Sequence, residues 1–319
     1  MAETLRNWPQ KLLLASPRGF CAGVVRAVDA LNQTIEASPG ETVYSYHEII
    51  HNNHVAEGFR QRGVVFVNTI DEVPEGSVLL FSAHGVSPQI RDLAQQRRMR
   101  VIDATCPLVA KTHTEAMRFL ADDKTVLYIG HANHDETIGT LGHAPRIRLI
   151  ETEEDVEKIE VENPDRLALI NQTTLSMDDT ARIREAVFRR FPNVVQPPTS
   201  DICFATQNRQ TGIKEVIREG AEVVVVVGSP SSSNSKRLYE VTLQNNASGF
   251  FVDDVSSLKP DDFTSYKVVG LTSGASVPEN IFDEVVCWFK AWGSTEVEYV
   301  KVANESRIHF VPPRLPPHP

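Results

Sequence analysis

The stretch Val101-Ile-Asp-Ala-Thr-Cys106-Pro107 reads as a short apolar strand, a turn bearing a thiol, and a helix opened by proline, a residue favoured at the first helical position. The same order of parts occurs twice more. Cys21 follows the apolar run Lys11-Leu-Leu-Leu-Ala-Ser16 and the turn Pro17-Arg-Gly-Phe20, and Cys203 follows Asp201-Ile202 and precedes a helical pattern. The thiols recur along the chain at wide and similar spacing, so three strand–turn–helix lobes folded about one centre would let them converge. Three soft ligands with no fourth describe a metal centre with an open position, which suits chemistry better than a structural clip.

Outward from these turns, strand and helix patterns alternate along the whole chain, which predicts an α/β protein with mainly parallel sheets covered by helices. Strands are predicted at 12–15, 42–46, 64–67, 78–82, 101–104, 125–129, 147–150, 167–171, 223–227, 249–252 and 267–271. Helices are predicted at 24–37, 55–62, 88–98, 108–121, 177–191, 207–219, 237–246 and 278–292. Ser87-Pro88, Ser176 with Asp179, and Ser276-Val-Pro-Glu279 as a capping box supply start signals. The predicted organisation is a lead-in and first strand with Cys21 (1–21), three α/β domains (22–106, 107–198 and 199–292) and a proline-rich tail (293–319).

Turns that follow strands are rich in hydroxyls, amides, imidazoles and glycine: Ser82-Ala-His84-Gly, Gly130-His-Ala-Asn-His134-Asp-Glu136, Asn171-Gln-Thr173-Thr, Gly228-Ser-Pro-Ser-Ser232-Ser233-Asn234-Ser and Thr272-Ser-Gly-Ala-Ser276. In open α/β sheets ligands bind at the carboxyl ends of strands, beside helix N-termini that favour anions. No Gly-rich nucleotide fingerprint is present, so a compact phosphate or diphosphate fits better than a nucleotide.

The 319 residues, 41% hydrophobic and 23% charged, describe an ordinary globular chain, and the net charge of −10 argues against nucleic acid as a partner. No apolar run nears the roughly 18 residues of a membrane span, and the first residues lack a signal-peptide core, so a cytoplasmic protein is expected. Four cysteines are too few for a disulfide scaffold.

The segments Pro17-Arg-Gly-Phe-Cys21-Ala-Gly, His47-Glu-Ile-Ile-His51-Asn, Phe81-Ser-Ala-His84-Gly-Val-Ser, Asp103-Ala-Thr-Cys106-Pro-Leu-Val, Gln172-Thr-Thr-Leu-Ser, Asp201-Ile-Cys203-Phe-Ala-Thr and Ser232-Ser-Asn-Ser resemble, in order, the IspH/LytB family of 4-hydroxy-3-methylbut-2-enyl diphosphate reductases. The resemblance runs from about Lys11 to Trp292. It implies a trefoil of three α/β domains around one [4Fe–4S] cluster with an iron open to substrate. The implied activity is reductive dehydroxylation of an allylic diphosphate to isopentenyl and dimethylallyl diphosphate, ending the methylerythritol phosphate route. It also implies a ferredoxin- or flavodoxin-type electron donor. The roles it implies are Cys21, Cys106 and Cys203 as cluster ligands; His51, His84, His134, Ser232, Ser233, Asn234 and Ser276 as pocket and diphosphate donors; Thr173 near the substrate hydroxyl; and Glu136, with Thr173 and His134, in proton delivery.

Two departures stand out. Ser16 replaces a common asparagine, and Asp135 replaces a frequent proline, adding a second carboxylate expected to perturb Glu136. Other residues read as ordinary structure: Cys287 as a small hydrophobe in an apolar helix, His47 and His54 as scattered on a half-exposed helix that also holds His51, and Arg91, Arg97, Arg98 and Arg100 as a solvated helix face. Two rival classes share the cysteine pattern. An iron–sulfur sensor would not need Glu136, Thr173 and the serine set. A structural zinc site completed by His84 or His134 would ordinarily show a Cys-x-x-Cys pair.

Overall fold

A computed structural model describes residues 8–314; the expected lead-in (1–7) and the end of the tail (315–319) lie outside the described residues. In chain order the strands are β1 (Lys11–Ser16), β2 (Val43–Tyr46), β3 (Val65–Val67), β4 (Val78–Phe81), β5 (Arg100–Asp103), β6 (Thr125–Ile129), β7 (Ile147–Ile150), β8 (Leu167–Asn171), β9 (Val223–Val227), β10 (Ser248–Val252), β11 (Val268–Ser273) and β12 (Glu296–Lys301). The α-helices are α1 (Ala22–Ala37), α2 (Asn53–Gln61), α3 (Pro88–Gln96), α4 (Pro107–Ala121), α5 (Asp135–Leu141), α6 (Glu153–Lys158), α7 (Met177–Arg190), α8 (Phe204–Arg218), α9 (Ser233–Gln244) and α10 (Glu279–Ala291).

Two compact units result. The first comprises residues up to Ala22, His51–Asn53 and Phe204–His309. Its one sheet has the order β10-β9-β11-β1-β12, every pairing parallel. A parallel sheet is buried on both faces, and the run of five valines in β9 shows why it must be. Val223, Val225 and Val227 pack with Ile281, Phe282, Val285 and Phe289 of α10, whereas Val224 and Val226 pack with Ile213 and Val216 of α8 and Leu238 and Val241 of α9. Each such side chain contributes about 1.5–3 kcal/mol relative to exposure.

The second unit comprises Gly23–Ile50, His54–Cys203 and the chain from Phe310. It holds two parallel sheets, β3-β2-β4-β5 and β7-β6-β8. Alternation again splits the core. Leu127 and Ile129 face Leu175, Ile183 and Val187, while Val126 and Tyr128 face Ala116 and Phe119 of α4.

In each sheet the strand order reverses once near its middle. The chain leaves β9 towards β10 but leaves β11 towards β12; it leaves β2 towards β3 but β4 towards β5; and β6 leads to β7 on the side away from β8. At such a reversal the two connections part, and the carboxyl ends of the adjacent strands border an uncovered crevice. The polar turns fall on these three crevices.

All eleven expected strands form, with small shifts at their ends, and the α/β class with three parallel sheets holds. Strand β12 lies within the segment read as a tail and pairs with the whole of β1. Its charged residues Glu296, Glu298 and Lys301 are exposed and only Val300 is buried, which suits a sheet edge and not a central strand. The short helices α5 and α6 were not expected. Ser276-Val-Pro-Glu279 is not a capping box: Pro278 stays extended before α10, and Glu279 turns to Arg18 at 2.6 Å. Helix α2 starts only at Asn53, so His47 and His51 precede it. Cys287 is exposed on the outer side of α10 rather than packed inside. The arginines on and after α3 are engaged and not simply solvated: Arg91 reaches Asp103 at 2.6 Å, Arg97 donates to the Val73 carbonyl at 2.7 Å, and Arg100 pairs with Glu41.

Leu271 of β11 is fully buried in the core of the first unit. Replacing it by alanine removes buried methyl groups and leaves a void, so Leu271→Ala is expected to cost about 2–5 kcal/mol. Urea unfolding of the intact chain measures this; a loss under 1 kcal/mol, well below the usual range, would mean the site collapses freely.

Candidate functional site

In the second unit, the crevice between β6 and β8 holds Glu136 in the first turn of α5, with 1% of its surface exposed. Thr173, in the turn after β8, donates its backbone N–H to Oε1 and its hydroxyl to Oε2, both at 2.8 Å. Burial pushes the Glu136 carboxyl up to about 7; the two Thr173 hydrogen bonds oppose the rise and the charge of Asp201 adds to it. His134 caps α5, its Nδ1 accepting the Glu136 N–H at 3.1 Å. In the neutral ring the proton then sits on Nε2, which makes that nitrogen a donor. The Thr173 carbonyl in turn accepts the Cys203 N–H at 3.0 Å. The acid and the third cysteine turn are thus joined through a single threonine.

Across the crevice between β2 and β4, the Ala83 N–H bonds the Ile49 carbonyl at 3.2 Å, and the Ala83 carbonyl accepts the Cys106 N–H at 2.9 Å. His84 follows, with Nδ1 at 3.2 Å from Ser82 Oγ and its ring edge-on to His134 at 5.8 Å between centroids. Cys106 is the N-cap residue of α4. Its turn is braced by Asp103, which accepts from the Thr105 N–H at 3.0 Å, and by Arg26, which donates to the Thr105 carbonyl at 2.9 Å. Although burial works the other way, Thr105 and Arg91 hold the Asp103 carboxyl below the usual carboxylate range.

An ion pair with a buried carboxylate and a partly exposed lysine ties the Cys106 helix to the Cys203 turn. Lys111 of α4 meets Asp201 at 2.8 Å and Glu115 at 3.2 Å, and the Asp201 side chain is only 2% exposed. Asp201 also accepts the Asn171 N–H at 3.2 Å. Burial and the adjacent Asp201 carboxylate push Glu115 up to about 7.

In the first unit the crevice lies between β9 and β11. Cys21 donates its N–H to the Ala275 carbonyl at 3.2 Å, and the Ala275 N–H donates to Asn234 Oδ1 at 2.9 Å. Asn234 Nδ2 continues to Thr206 Oγ1 at 3.3 Å. Ser276 Oγ donates to the His51 carbonyl at 3.1 Å and lies 3.3 Å from Ser232 Oγ. The serine run starts α9 instead of forming a loop: Ser232 is its N-cap and accepts the Ser235 N–H at 3.3 Å, with Ser233 and Asn234 in the first turn. The turns press closely on this helix. A Cβ at Gly228 would sit 2.5 Å from Ser235 Cβ, so only glycine fits there, and one at Gly274 would sit 2.0 Å from Ser235 Oγ and force that hydroxyl to move.

The predicted residues therefore divide between the units: Cys21, His51, Ser232, Ser233, Asn234 and Ser276 in the first, and His84, Cys106, His134, Glu136, Thr173 and Cys203 in the second. All three cysteines are half-buried and placed immediately before a helix, at Ala22, Pro107 and Phe204. Asp135 does not act on Glu136 as expected. Its carboxylate turns to His47 Nδ1 at 2.7 Å and lies 3.8 Å from His84 Nδ1. Sequence reading missed Asp201, Lys111 and Glu115; an acidic residue two or three positions before Cys106 and Cys203 alike was the available signal.

Fold and site together define an α/β protein whose candidate imidazoles, hydroxyls and buried Glu136 gather at the carboxyl ends of parallel strands, the place where such proteins bind and transform ligands. The family model described as LytB protein matches residues 12–290, and the chain belongs to that family. A relative from Rhodopirellula baltica named 4-hydroxy-3-methylbut-2-enyl diphosphate reductase is 48% identical over 96% of this chain and 95% of its own length. One of the same name from Streptomyces coelicolor is 46% identical over 96% and 90%. The solved E-1-hydroxy-2-methyl-but-2-enyl-4-diphosphate reductase from Plasmodium falciparum superposes with a TM-score of 0.92 at 34% identity, covering 96% of both chains. A second solved structure, titled as (E)-4-hydroxy-3-methyl-but-2-enyl diphosphate reductase and the terminal enzyme of the non-mevalonate pathway, gives 0.63 at 29% identity over 88% of this chain and 99% of its own. Among the described residues no helix is long and apolar enough to cross a membrane.

Removing the cation from the Lys111–Asp201 pair leaves a buried carboxylate uncompensated. Lys111→Met is expected to destabilise the protein by up to about 3–5 kcal/mol, the half-exposure of the lysine moderating the loss. Lys111→Met combined with Asp201→Asn should recover much of it. Thermal unfolding of both proteins decides; equal melting of Lys111→Met and the parent would show that the pair carries no stability.

Proposed function

We propose that this chain is a 4-hydroxy-3-methylbut-2-enyl diphosphate reductase. Its substrate is the (E)-allylic diphosphate, its products are isopentenyl and dimethylallyl diphosphate, and it works in the cytoplasm at the end of the methylerythritol phosphate route. The observation that carries the reading is the Glu136–Thr173 pair: a fully buried acid with a raised pKa, bonded to the turn that receives the third cysteine, inside a family whose relatives bear this name. A sensor of iron–sulfur chemistry has no use for such an acid.

The donor set suits an iron–sulfur group. Cys21 and Cys106 follow strands directly, whereas Cys203 follows the helix-to-helix connection from α7 instead of the expected strand; each thiol precedes a helix start, whose partial positive charge favours the negative charge of a metal–thiolate group. In this reading those three would hold a [4Fe–4S] cluster, which when bound would supply Lewis acidity and the two electrons received from a ferredoxin- or flavodoxin-type donor. His51, His84, His134, Ser232, Ser233, Asn234 and Ser276 bind the diphosphate with hydroxyl, amide and imidazole donors, so the acidic chain needs no basic cluster there. His134 offers Nε2–H because its Nδ1 is spent on the helix cap. The reaction breaks the allylic C–O bond, consumes two electrons and two protons, and releases the oxygen as water. Hydroxide leaves poorly, so Glu136 delivers a proton through the Thr173 hydroxyl to the departing oxygen. Burial raises that carboxyl to about 7, so a large share of it carries the proton near neutral pH. Asn234 has a second task, since its amide oxygen holds the Ala275 N–H next to the Cys21 turn.

Anaerobic purification with iron and sulfide analysis tests the metal centre. Cys21→Ser, Cys106→Ser and Cys203→Ser should each lose the cluster or keep an inactive remnant, whereas Cys287→Ser, on the outer face of α10, should match the parent. Full activity in any of the first three removes that residue from the ligand set.

Glu136→Gln retains size and hydrogen bonding but has no acidic proton. Turnover with a chemical reductant should fall about 10²-fold or more with iron content unchanged. The acid form of Glu136 is populated below about 7, so parent turnover should decline as pH rises through that value, and this limb should vanish in Glu136→Gln. A parent-like rate in the variant would hand the proton to another group.

A further inference from the structure

Arg209, on α8 six positions past Cys203, is the largest fully buried side chain among the described residues, with 0% of it exposed. A guanidinium is costly to bury, and a hydrophobe of like volume would fill the space at lower cost. Only a fork of donors can do what Arg209 does. Its Nη2 donates to the Gly19 carbonyl at 2.7 Å, two residues before Cys21, and its Nη1 donates to the Ala205 carbonyl at 2.9 Å, two residues after Cys203. Nη1 also faces both carboxylate oxygens of Glu305, at 3.2 and 3.3 Å.

Two of the arginine's partners, Gly19 and Glu305, are themselves fixed. Gly19 has φ +64°, its N–H is bonded to Ser273 Oγ at 2.9 Å, and a Cβ there would lie 2.9 Å from Glu279 Oε2. Glu305 takes a second bond from Asn208 Nδ2 at 2.9 Å. It belongs to the segment that follows β12, which leaves the sheet through Val302 N–H on the Ser16 carbonyl at 2.9 Å and turns through Ile308 N–H on the Glu305 carbonyl at 2.9 Å. That segment has no helix or strand of its own, yet it supplies the counter-charge of the most buried cation.

We propose that Arg209, held by Glu305, is a positioning residue for the metal centre: it locks the turn bearing Cys21 to the first turn of the helix that follows Cys203, and the segment 302–308 thereby governs how firmly the metal is retained. The inference rests on the reading of Cys21 and Cys203 as ligands and adds a supporting shell that fixes where their main chain sits.

The test compares anaerobically reconstituted full-length protein with Glu305→Ala, Glu305→Gln, Arg209→Lys and Arg209→Met. The readouts are the rate of iron loss to a chelator, the line shape of the reduced centre in electron paramagnetic resonance, and melting of the metal-free protein. Glu305→Ala and Arg209→Met should release iron about 10-fold faster or more, the scale for losing an outer-shell partner. Arg209→Lys, which keeps the charge without the fork, should fall between, and Glu305→Gln, which keeps an acceptor, should recover most of the retention. A changed line shape should accompany faster loss. If Arg209→Met fails to fold, Glu305→Ala and Arg209→Lys carry the comparison. Parent-like iron loss and line shape in those two, with Cys21→Ser losing iron, would overturn the clamp while leaving the ligand reading intact. Iron held by Cys21→Ser as firmly as by the parent would overturn the ligand reading itself.

Discussion

Between β9 and β11, between β2 and β4, and between β6 and β8, the chain leaves neighbouring parallel strands in opposite directions, and the helices that follow cannot cover the gap at the carboxyl ends. Everything polar in the candidate site is arranged around that one constraint. Main-chain bonds cross each gap: Gly274 N–H to Val227, Ala83 N–H to Ile49, and Gln172 N–H to Ile129. These bonds hold the rims rigid, so side chains on the rims can be aimed. Each rim also delivers a helix start, and with it backbone donors suited to a negatively charged group.

Burial of charge is the second recurring device, and it is used in two ways. Glu136 is buried with no ion pair among the described residues, so burial raises its carboxyl to about 7 and lets it hold a proton near neutral pH. Asp201 is equally buried but meets Lys111, and Arg209 meets Glu305, so these charges are compensated and serve geometry. The difference between a reactive group and a brace is thus set by the partner at hydrogen-bond distance, not by residue type. Asp135 illustrates the same point. Adjacent in sequence to Glu136, it points to His47 and leaves Glu136 to Thr173.

The repeated strand–turn–helix pattern determined the α/β class, the parallel sheets and nearly every strand, because apolar runs bounded by glycine, proline and small polar residues have one economical fate in a chain of this size. It also singled out the three cysteines and the polar turns, since their chemistry stands out in composition alone. Short elements escaped it. Helix α5 begins at the end of a loop-like run of His and Asn, and β12 is half charged, as an edge strand can be, without a clean apolar alternation.

Only the tertiary structure decided which polar residues meet. That Thr173 receives both oxygens of Glu136, that Lys111 reaches across to Asp201 some ninety positions away, and that Glu305 completes Arg209 depend on strand order and crossover direction, which no local pattern encodes. Local sequence sets the period of burial and the places where helices start. Which distant turns share a crevice is set by how the strands are ordered, and the free energy of closing those long loops is recovered only when whole sheets assemble.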